Sequence, residues 1–67
     1  MADFASRLKE LRASKGMLQK DIASLLEISE RQYRSYEAGQ VDPPLSKMIW
    51  LANYYGVSLD YLTGRSD

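Results

Sequence analysis

Apolar residues recur every three or four positions along this chain, and helix stop signals divide them into five short segments. This spacing is typical of helices that bury one face and leave the other in water. Glycines follow four of the segments, and Asp, Ser or Pro residues mark the starts of four. The predicted helices are residues 3–15, 18–26, 29–38, 44–55 and 58–63, and no segment is a strand candidate. The pattern predicts an all-α, compact five-helix domain that occupies residues 1–67 as a single unit.

The apolar faces of these segments predict which side chains form the core. The expected core residues are Phe4, Leu8, Leu11, Ile22, Ala23, Leu25, Leu26, Leu45, Met48, Ala52, Tyr55 and Leu59, with Arg12 on the same side of helix 1. Three apolar pairs stand where a hydrophobic staple fixes a helix start, namely Met17 with Ile22, Ile28 with Tyr33, and Val57 with Leu62. Only Glu27 and Ile28 separate helices 2 and 3, so we expect the two to cross steeply as a helix-turn-helix.

Helix 3 has two different sides. Ser29 can cap its first turn, and Gln32 follows three residues later as the partner in a capping box. At about 100° per residue, one side carries Tyr33, Tyr36 and Glu37. The other side carries Arg31, Arg34, Ser35 and Ala38, with Glu30 at its edge. The side with the arginines is therefore small, polar and cationic.

A helix face of this kind can enter the major groove of DNA, which is ~12 Å wide. There an arginine can bond the O6 and N7 atoms of guanine with two hydrogen bonds. The alternative is a solvated helix face, which is the commoner role of a polar helix side in an arbitrary protein. The helical pattern alone leaves both interpretations open.

Composition excludes several classes of function. Sixty-seven residues permit one domain, close to the lower size limit for a core without disulfides or metals. The absence of Cys and His removes thiolate nucleophiles, imidazole bases and the usual zinc clusters, so we expect neither an enzyme nor a metal or cofactor site. No small-molecule ligand is evident. No apolar run approaches the ~18 residues of a membrane span and no signal peptide is recognisable, so a cytoplasmic location without membrane contact is expected.

The charge balance does not favour nucleic acid by itself. Nine Lys and Arg residues face nine Asp and Glu residues, and within residues 17–39 three cations face four anions. Nucleic-acid binders often carry a basic excess. Any affinity for DNA must then come from the local placement of cations and helix N-termini, and non-specific binding should be weak and sensitive to salt.

Four stretches, RLKELRASKG, LQKDIA, ISERQYRSYEAG and LANYYGVSLDYLTG, occur in an order and spacing that resemble a known family. The chain is similar to the lambda-repressor and Cro-like helix-turn-helix domains of the XRE family over residues 5–64. The resemblance implies that helices 2 and 3 form the DNA-binding unit of a bacterial or phage-borne transcriptional regulator, a repressor in its commonest form. It also implies double-stranded DNA as the partner, and a palindromic operator if the chain forms a homodimer.

The resemblance assigns roles to individual positions. Base contacts are implied for Arg31 above all, and for Glu30, Gln32 and Ser35. Phosphate contacts are implied for Gln19, Arg34, Gln40, Ser46 and Lys47, with a flanking base as the alternative for Arg34. Three of these residues have a structural alternative: Gln19 as a solvated helix start, Glu30 as a favourable charge at a helix N-terminus, and Gln32 as a capping side chain.

Arg12 and Glu37 resemble the family's internal ion pair between helix 1 and the end of helix 3, which is a structural role. Other positions depart from the family pattern. They are Leu18 at the cap of helix 2, Glu27 in the turn, Tyr33 and Tyr36 behind helix 3, and Asp42 in the following loop. The missing cap costs about 1 kcal/mol. A left-handed backbone at the turn costs roughly 1 kcal/mol.

Trp50 and Tyr54 lie four residues apart on helix 4, nearly opposite its expected core residues. If they are exposed, they predict a partner surface, including a two-fold dimer contact. The alternative is loose packing against residues 61–67. These aromatic residues support a second hypothesis, in which the helix-turn-helix scaffold is an antitoxin-like or adaptor module that binds a protein.

Overall fold

A computed structural model describes residues 3–64 of the chain. The helices are α1 (Phe4–Ser14), α2 (Gln19–Leu26), α3 (Glu30–Glu37), α4 (Leu45–Tyr55) and α5 (Leu59–Thr63). The predicted all-α fold with five helices is confirmed, and residues 3–64 contain no strand. No helix in this range has the length and apolar character that a membrane span requires.

Local capping explains where the helices begin. The side chains of Asp3, Ser29 and Ser58 each accept a hydrogen bond from the backbone N–H three residues later, at 2.9 to 3.0 Å. Pro44 takes the same capping position before α4 with an extended backbone, φ −60° and ψ 156°. The helices are shorter than the predicted ranges mainly because those ranges included the capping residues.

Ten side chains form the buried core of the described range. They are Phe4, Leu8, Ile22, Ala23, Leu26, Tyr33, Tyr36, Leu51, Ala52 and Leu62. Most of the predicted core residues are among them or are partly buried beside them. The predictions for Leu25 and Leu45 were wrong, because these side chains are 48% and 63% exposed.

The two errors have different causes. The buried residues of α4 are Ala52 and Leu51, the second of which the prediction omitted. Leu45 lies only about 20° from Ala52 around the helix axis, but it is the first residue of α4 and is left uncovered there. In α2 the buried residues are Ile22, Ala23 and Leu26. Leu25 lies about 100° from the middle of that face, so it points out of the core.

The turn between α2 and α3 is tight. Glu27 adopts a left-handed backbone, φ 60° and ψ 41°, and is the one residue other than glycine with positive φ in residues 3–64. The backbone N–H groups of Glu27 and Ile28 donate to the last carbonyls of α2 at 3.1 Å. Lys47 Nζ from α4 donates to the carbonyl of Leu26 at 2.9 Å. The end of α2 is therefore closed by its own turn and by α4.

The helices pack so that α3 is held from behind. Helix α2 lies against α3, α1 contacts both α3 and α5, and α4 contacts α5. The buried side of α3 carries Tyr33 and Tyr36, whose rings meet edge to face with centroids 6.2 Å apart. This packing leaves the opposite side of α3 facing outward.

Candidate nucleic-acid interface

The outward side of α3 presents the arginine that the sequence singled out. Arg31 is exposed, and it makes no hydrogen bond or ion pair with any of residues 3–64. Its position follows from the period of α3. Arg31 lies two residues before the buried Tyr33, which is about 200° around the helix axis, so it points away from the core. The guanidinium therefore keeps all of its donors available for a ligand.

Arg34 is exposed on the same side but is held by neighbours. Its Nη2 atom lies 2.5 Å from Glu30 Oε2, and the two side chains are 60% and 41% exposed. Its Nε atom donates to Gln19 Oε1 at 3.3 Å. Arg34 is thus oriented by one residue of α3 and by the first residue of α2.

Gln32 and Ser35 form hydrogen bonds within α3. The backbone N–H of Gln32 donates to Ser29 Oγ at 3.0 Å, as the predicted capping box requires. The return bond, in which the Ser29 backbone N–H would donate to the Gln32 side-chain oxygen, is not formed within residues 3–64, and the Gln32 amide nitrogen donates to Tyr36 Oη at 3.4 Å. Ser35 Oγ donates to the carbonyl of Gln32 at 2.6 Å. Half of the capping box is therefore present.

The residues predicted to contact phosphate are not all in the same situation. Gln40 and Ser46 are exposed, the first in the loop after α3 and the second in the first turn of α4. Lys47 is half-buried and donates to the carbonyl of Leu26, so one of its three N–H donors stabilises the α2 terminus. This structural bond of Lys47 was not predicted from the sequence.

Behind this surface lies the ion pair that the resemblance implied. Arg12 Nε donates to Glu37 Oε2 at 2.6 Å and Arg12 Nη2 to Glu37 Oε1 at 3.1 Å, which makes a two-pronged contact. A third donor, Arg12 Nη1, reaches the carbonyl of Met17 at 2.8 Å. The Glu37 side chain is only 3% exposed. The pair joins α1 to the last turn of α3, and Arg12 also bonds the loop between α1 and α2.

Two further donors complete the surroundings of Glu37. Tyr33 Oη donates to Glu37 Oε2 at 2.5 Å, and Gln19 Nε2 donates to Glu37 Oε1 at 3.2 Å. Burial raises the pKa of Glu37, but the hydrogen bonds from Arg12, Tyr33 and Gln19 outweigh it and hold the pKa below its ordinary value. Burial and the neighbouring carboxylate raise the pKa of Tyr33, so its hydroxyl stays a donor.

Gln19 connects the buried pair to the surface. Its amide nitrogen donates to Glu37 and its amide oxygen accepts from Arg34, so both ends of the amide have a defined partner. This role of Gln19 was not predicted from the sequence. The Tyr33 contact could have been found from its four-residue spacing to Glu37 on one helix. The Gln19 contact could not, because it joins two helices.

Trp50 and Tyr54 stack on the outer side of α4, with ring centroids 4.9 Å apart and an interplanar angle of 11°. Tyr54 is 37% exposed and Trp50 is half-buried. Tyr54 Oη donates to Met17 Sδ at 3.3 Å, and Lys15 Nζ lies 5.3 Å from the centre of the Tyr54 ring. The aromatic pair therefore borders the loop between α1 and α2.

The alternative packing against residues 61–67 is only partly within the described range. The Tyr61 ring lies 4.2 Å from the Arg7 guanidinium carbon, and the Tyr61 carbonyl accepts a hydrogen bond from Arg7 Nη1 at 3.0 Å. Residues 65–67 fall outside the described residues.

Within residues 3–64, no group of three or more carboxylates is placed to hold a metal ion.

Comparison with known proteins agrees with this geometry. The family model described as Helix-turn-helix matches residues 8–62. The chain is 36% identical to the HTH-type transcriptional regulator YobD of Bacillus subtilis over 64 residues, which cover 96% of this chain and 57% of YobD. It is 30% identical to the cryptic phage CTXphi transcriptional repressor RstR of Vibrio cholerae, covering 96% of this chain and 58% of RstR.

A crystal structure of a transcriptional regulator from Listeria innocua superposes on 96% of this chain and 60% of the other, with a TM-score of 0.89 and 34% identity. The chain thus spans little more than half the length of the curated relatives it matches. The matched residues include the whole of α2 and α3, together with the turn that joins them. The chain belongs to the XRE-type helix-turn-helix family of DNA-binding transcriptional regulators.

Proposed function

We propose that this chain is a sequence-specific double-stranded DNA-binding domain of a bacterial or phage transcriptional regulator, and that the regulator is a repressor. The observation that carries the proposal is the exposed Arg31 guanidinium on the outward side of α3, which has no partner within residues 3–64. A buried network on the opposite side of the same helix supports its orientation. The repressor assignment is supported by the name of the relative RstR.

In the proposed complex, α3 lies in the major groove and its outward side faces the base edges. Arg31 bonds a guanine through O6 and N7. The residues proposed beside it at the base edges are Gln32 and Ser35. Glu30 has two alternatives on this side, a contact to a base edge or the ion pair with Arg34 alone. The hydrogen bonds that Gln32 and Ser35 make within α3 leave acceptor or donor capacity for a base, since an amide and a hydroxyl each have several sites.

Phosphate contacts are proposed around the rim of this surface. The residues are Gln19, Arg34, Gln40, Ser46 and Lys47, and Arg34 has a flanking base as its alternative. Because the chain has a net charge of zero, these local donors and the N-termini of α2 and α4 must supply the affinity for the DNA backbone. The proposed binding is therefore strongly salt-dependent.

A homodimer is proposed as the form that binds. Two copies related by a two-fold axis would read a palindromic operator whose half-sites lie about one helical turn, ~34 Å, apart. Bacterial DNA lies in the cytoplasm, so the proposed function also implies a cytoplasmic location. No catalytic step is part of the proposal.

The decisive experiment is selection of bound duplexes from a random DNA pool at two salt concentrations. We expect an enriched palindrome with a conserved guanine in each half-site. The Arg31→Ala variant serves as the matched control, and it should enrich sequences in which that guanine is no longer selected. Retention of no sequence by the wild-type chain at either salt concentration would refute the proposal.

A second function is favoured by the aromatic stack on α4. Tyr54 is 37% exposed next to Trp50, and the net charge of zero suits a protein partner as well as DNA. In this function the helix-turn-helix scaffold is an antitoxin-like or adaptor module. A shift in the emission of Trp50, the only tryptophan, on addition of a protein partner would support it if the chain retains no duplex.

A further inference from the structure

The outward side of α3 contains a carboxylate among its cations, and this carboxylate holds one of them. Glu30 Oε2 lies 2.5 Å from Arg34 Nη2. The second hold on Arg34 is the 3.3 Å hydrogen bond from its Nε atom to Gln19 Oε1. Arg31, three residues earlier, has no such contact within residues 3–64. The two arginines would therefore meet DNA in different states.

The contact with Gln19 makes the orientation of Arg34 more than a loose surface pair. An exposed ion pair four residues apart on a helix contributes little by itself. Gln19, however, also donates to Glu37 at 3.2 Å, and Glu37 is nearly buried and bonded to Arg12. A continuous series of hydrogen bonds thus connects the buried ion pair to the guanidinium of Arg34.

We propose that Glu30 sets sequence specificity by restraining Arg34, and that it does not contact a base itself. This inference rests on the proposed function, which is DNA binding through α3. A guanidinium on a flexible stem is attracted to any phosphate, and that attraction carries no sequence information. Glu30 competes with phosphate for Arg34 and places a negative charge beside the DNA backbone.

The restraint acts unequally on different duplexes. On a non-cognate duplex α3 is not seated by base contacts, and Arg34 stays on Glu30 and Gln19. On the cognate duplex the base contacts of Arg31 hold α3 in the groove, where Arg34 can share its five N–H donors between Glu30 and the DNA. Glu30 therefore lowers non-cognate affinity more than cognate affinity, which raises the ratio between them.

The test is a double-mutant cycle with Glu30→Gln, Arg34→Gln and the double variant. Binding is measured over a salt series on the duplex selected by the wild-type chain and on a scrambled duplex of equal length and composition. For Glu30→Gln we expect the scrambled duplex to bind about two- to fivefold more tightly. The slope of log K against log salt on that duplex should steepen by about 0.9, which corresponds to one additional phosphate contact.

The remaining arms separate the restraint from simpler effects. In the Arg34→Gln background, the Glu30→Gln change should alter neither the slope nor the cognate-to-scrambled ratio appreciably. Glu10→Gln is the matched control, because it changes the net charge by the same amount as Glu30→Gln. Glu10 is exposed on α1 and makes no hydrogen bond or ion pair within residues 3–64. This control should leave the ratio unchanged.

Two results would overturn the inference while leaving the proposed function intact. One is an equal effect of Glu30→Gln with and without Arg34, and the other is a loss of discrimination at one base pair only, which would make Glu30 a base reader. If the wild-type chain retains neither duplex, the proposed function fails, and this inference fails with it. Far-ultraviolet circular dichroism of each variant verifies that the helices are formed.

Discussion

The inward and outward sides of α3 are built from different chemistry within one helix of eight residues. Inward, Tyr33 and Tyr36 are 0% and 1% exposed, and Glu37 accepts hydrogen bonds from three other side chains. Outward, Arg31 and Arg34 are exposed, and among the described residues only Arg34 has a hydrogen-bond or ion-pair partner. The inward side contributes stability, whereas the outward side holds charges that are ready for a ligand.

This difference means that stability and recognition can be altered separately. Removing an inward group leaves a buried partner unsatisfied, which is costly wherever the partner is charged. Removing an outward group uncovers nothing that was buried, so the fold should hardly respond. Gln19, the first residue of α2, connects the two sides of α3, because its amide bonds both Glu37 and Arg34.

The largest effect is expected on the inward side from Arg12→Met. The change leaves Glu37, whose side chain is 3% exposed, without its charged partner. We expect a loss of about 3 to 5 kcal/mol in the free energy of unfolding, measured by urea titration with circular dichroism. Lys9→Met removes an exposed cation from the same helix and should change stability by less than about 0.5 kcal/mol. Equal losses in both variants would remove the special role of the ion pair.

Tyr33→Phe should have the next largest effect on stability. The variant keeps the buried ring and deletes only the hydroxyl that donates to Glu37 at 2.5 Å. A hydrogen bond to a charged group contributes about 1.5 to 3 kcal/mol, so unfolding should become easier by that amount. Tyr36→Phe is the matched control, since within residues 3–64 the Tyr36 hydroxyl only accepts a long hydrogen bond of 3.4 Å from the exposed Gln32. If the control loses as much stability, the hydroxyl of Tyr33 has no special function.

The same variant should change the response to acid. In the wild-type protein, hydrogen bonds from Arg12, Tyr33 and Gln19 hold the pKa of Glu37 below the ordinary value of 4.5. The carboxylate of the unfolded chain is therefore protonated first as the pH falls. The stabilisation is therefore complete above about pH 4.5 and is lost as the pH falls through the lowered native pKa. Without the Tyr33 hydroxyl the native pKa moves upward, and the free energy of unfolding should depend less steeply on pH below 4.5. Identical pH profiles for the two proteins would contradict this account.

On the outward side, Arg31→Ala should change recognition with little effect on folding. We expect a loss of about 1 to 3 kcal/mol in discrimination at one base position, measured by competition between operator variants. Arg31→Lys keeps the charge but loses the two-pronged geometry, so it should retain the salt dependence while losing the same discrimination. Equal weakening on cognate and scrambled duplexes would reassign Arg31 to phosphate contact. A large drop in unfolding free energy would instead break the separation of the two sides.

The smallest effect is expected at the turn, which belongs to neither side. Glu27 holds a left-handed backbone with φ 60°, and glycine adopts this conformation without the steric cost. Glu27→Gly should raise the free energy of unfolding by about 0.5 kcal/mol, because the gain exceeds the greater chain entropy that glycine loses. The opposite change is Gly39→Ala, just after the end of α3. An added Cβ would meet only an ordinary 3.7 Å contact, so the expected loss of about 1 kcal/mol comes from the backbone φ of +74°. A change in DNA discrimination in Glu27→Gly would show that the turn also adjusts the outward side.

Local features of the chain were readable in advance for a physical reason. Helix starts at Asp3, Ser29 and Ser58 depend on a hydrogen bond to a residue three positions away, so the local sequence is enough to predict them. The two sides of α3 follow from its period alone, which predicted Tyr33 inward and Arg31 outward. Leu25 and Leu45 show the limit of such reasoning, since periodicity defines a face but not how far a neighbouring helix covers it.

The sequence by itself determined five helices, a tight turn and a cationic outward side on α3, because propensity, capping and hydrophobic period act over a few residues. Only the tertiary structure decided which side chains meet across helices. Arg12 reaches Glu37 over 25 positions, Lys47 reaches Leu26 over 21, and Gln19 reaches Glu37 over 18. No local spacing encodes these separations, since they depend on how the helices pack. Packing therefore decided that Gln19 of α2 also holds Arg34, in addition to the local ion pair with Glu30.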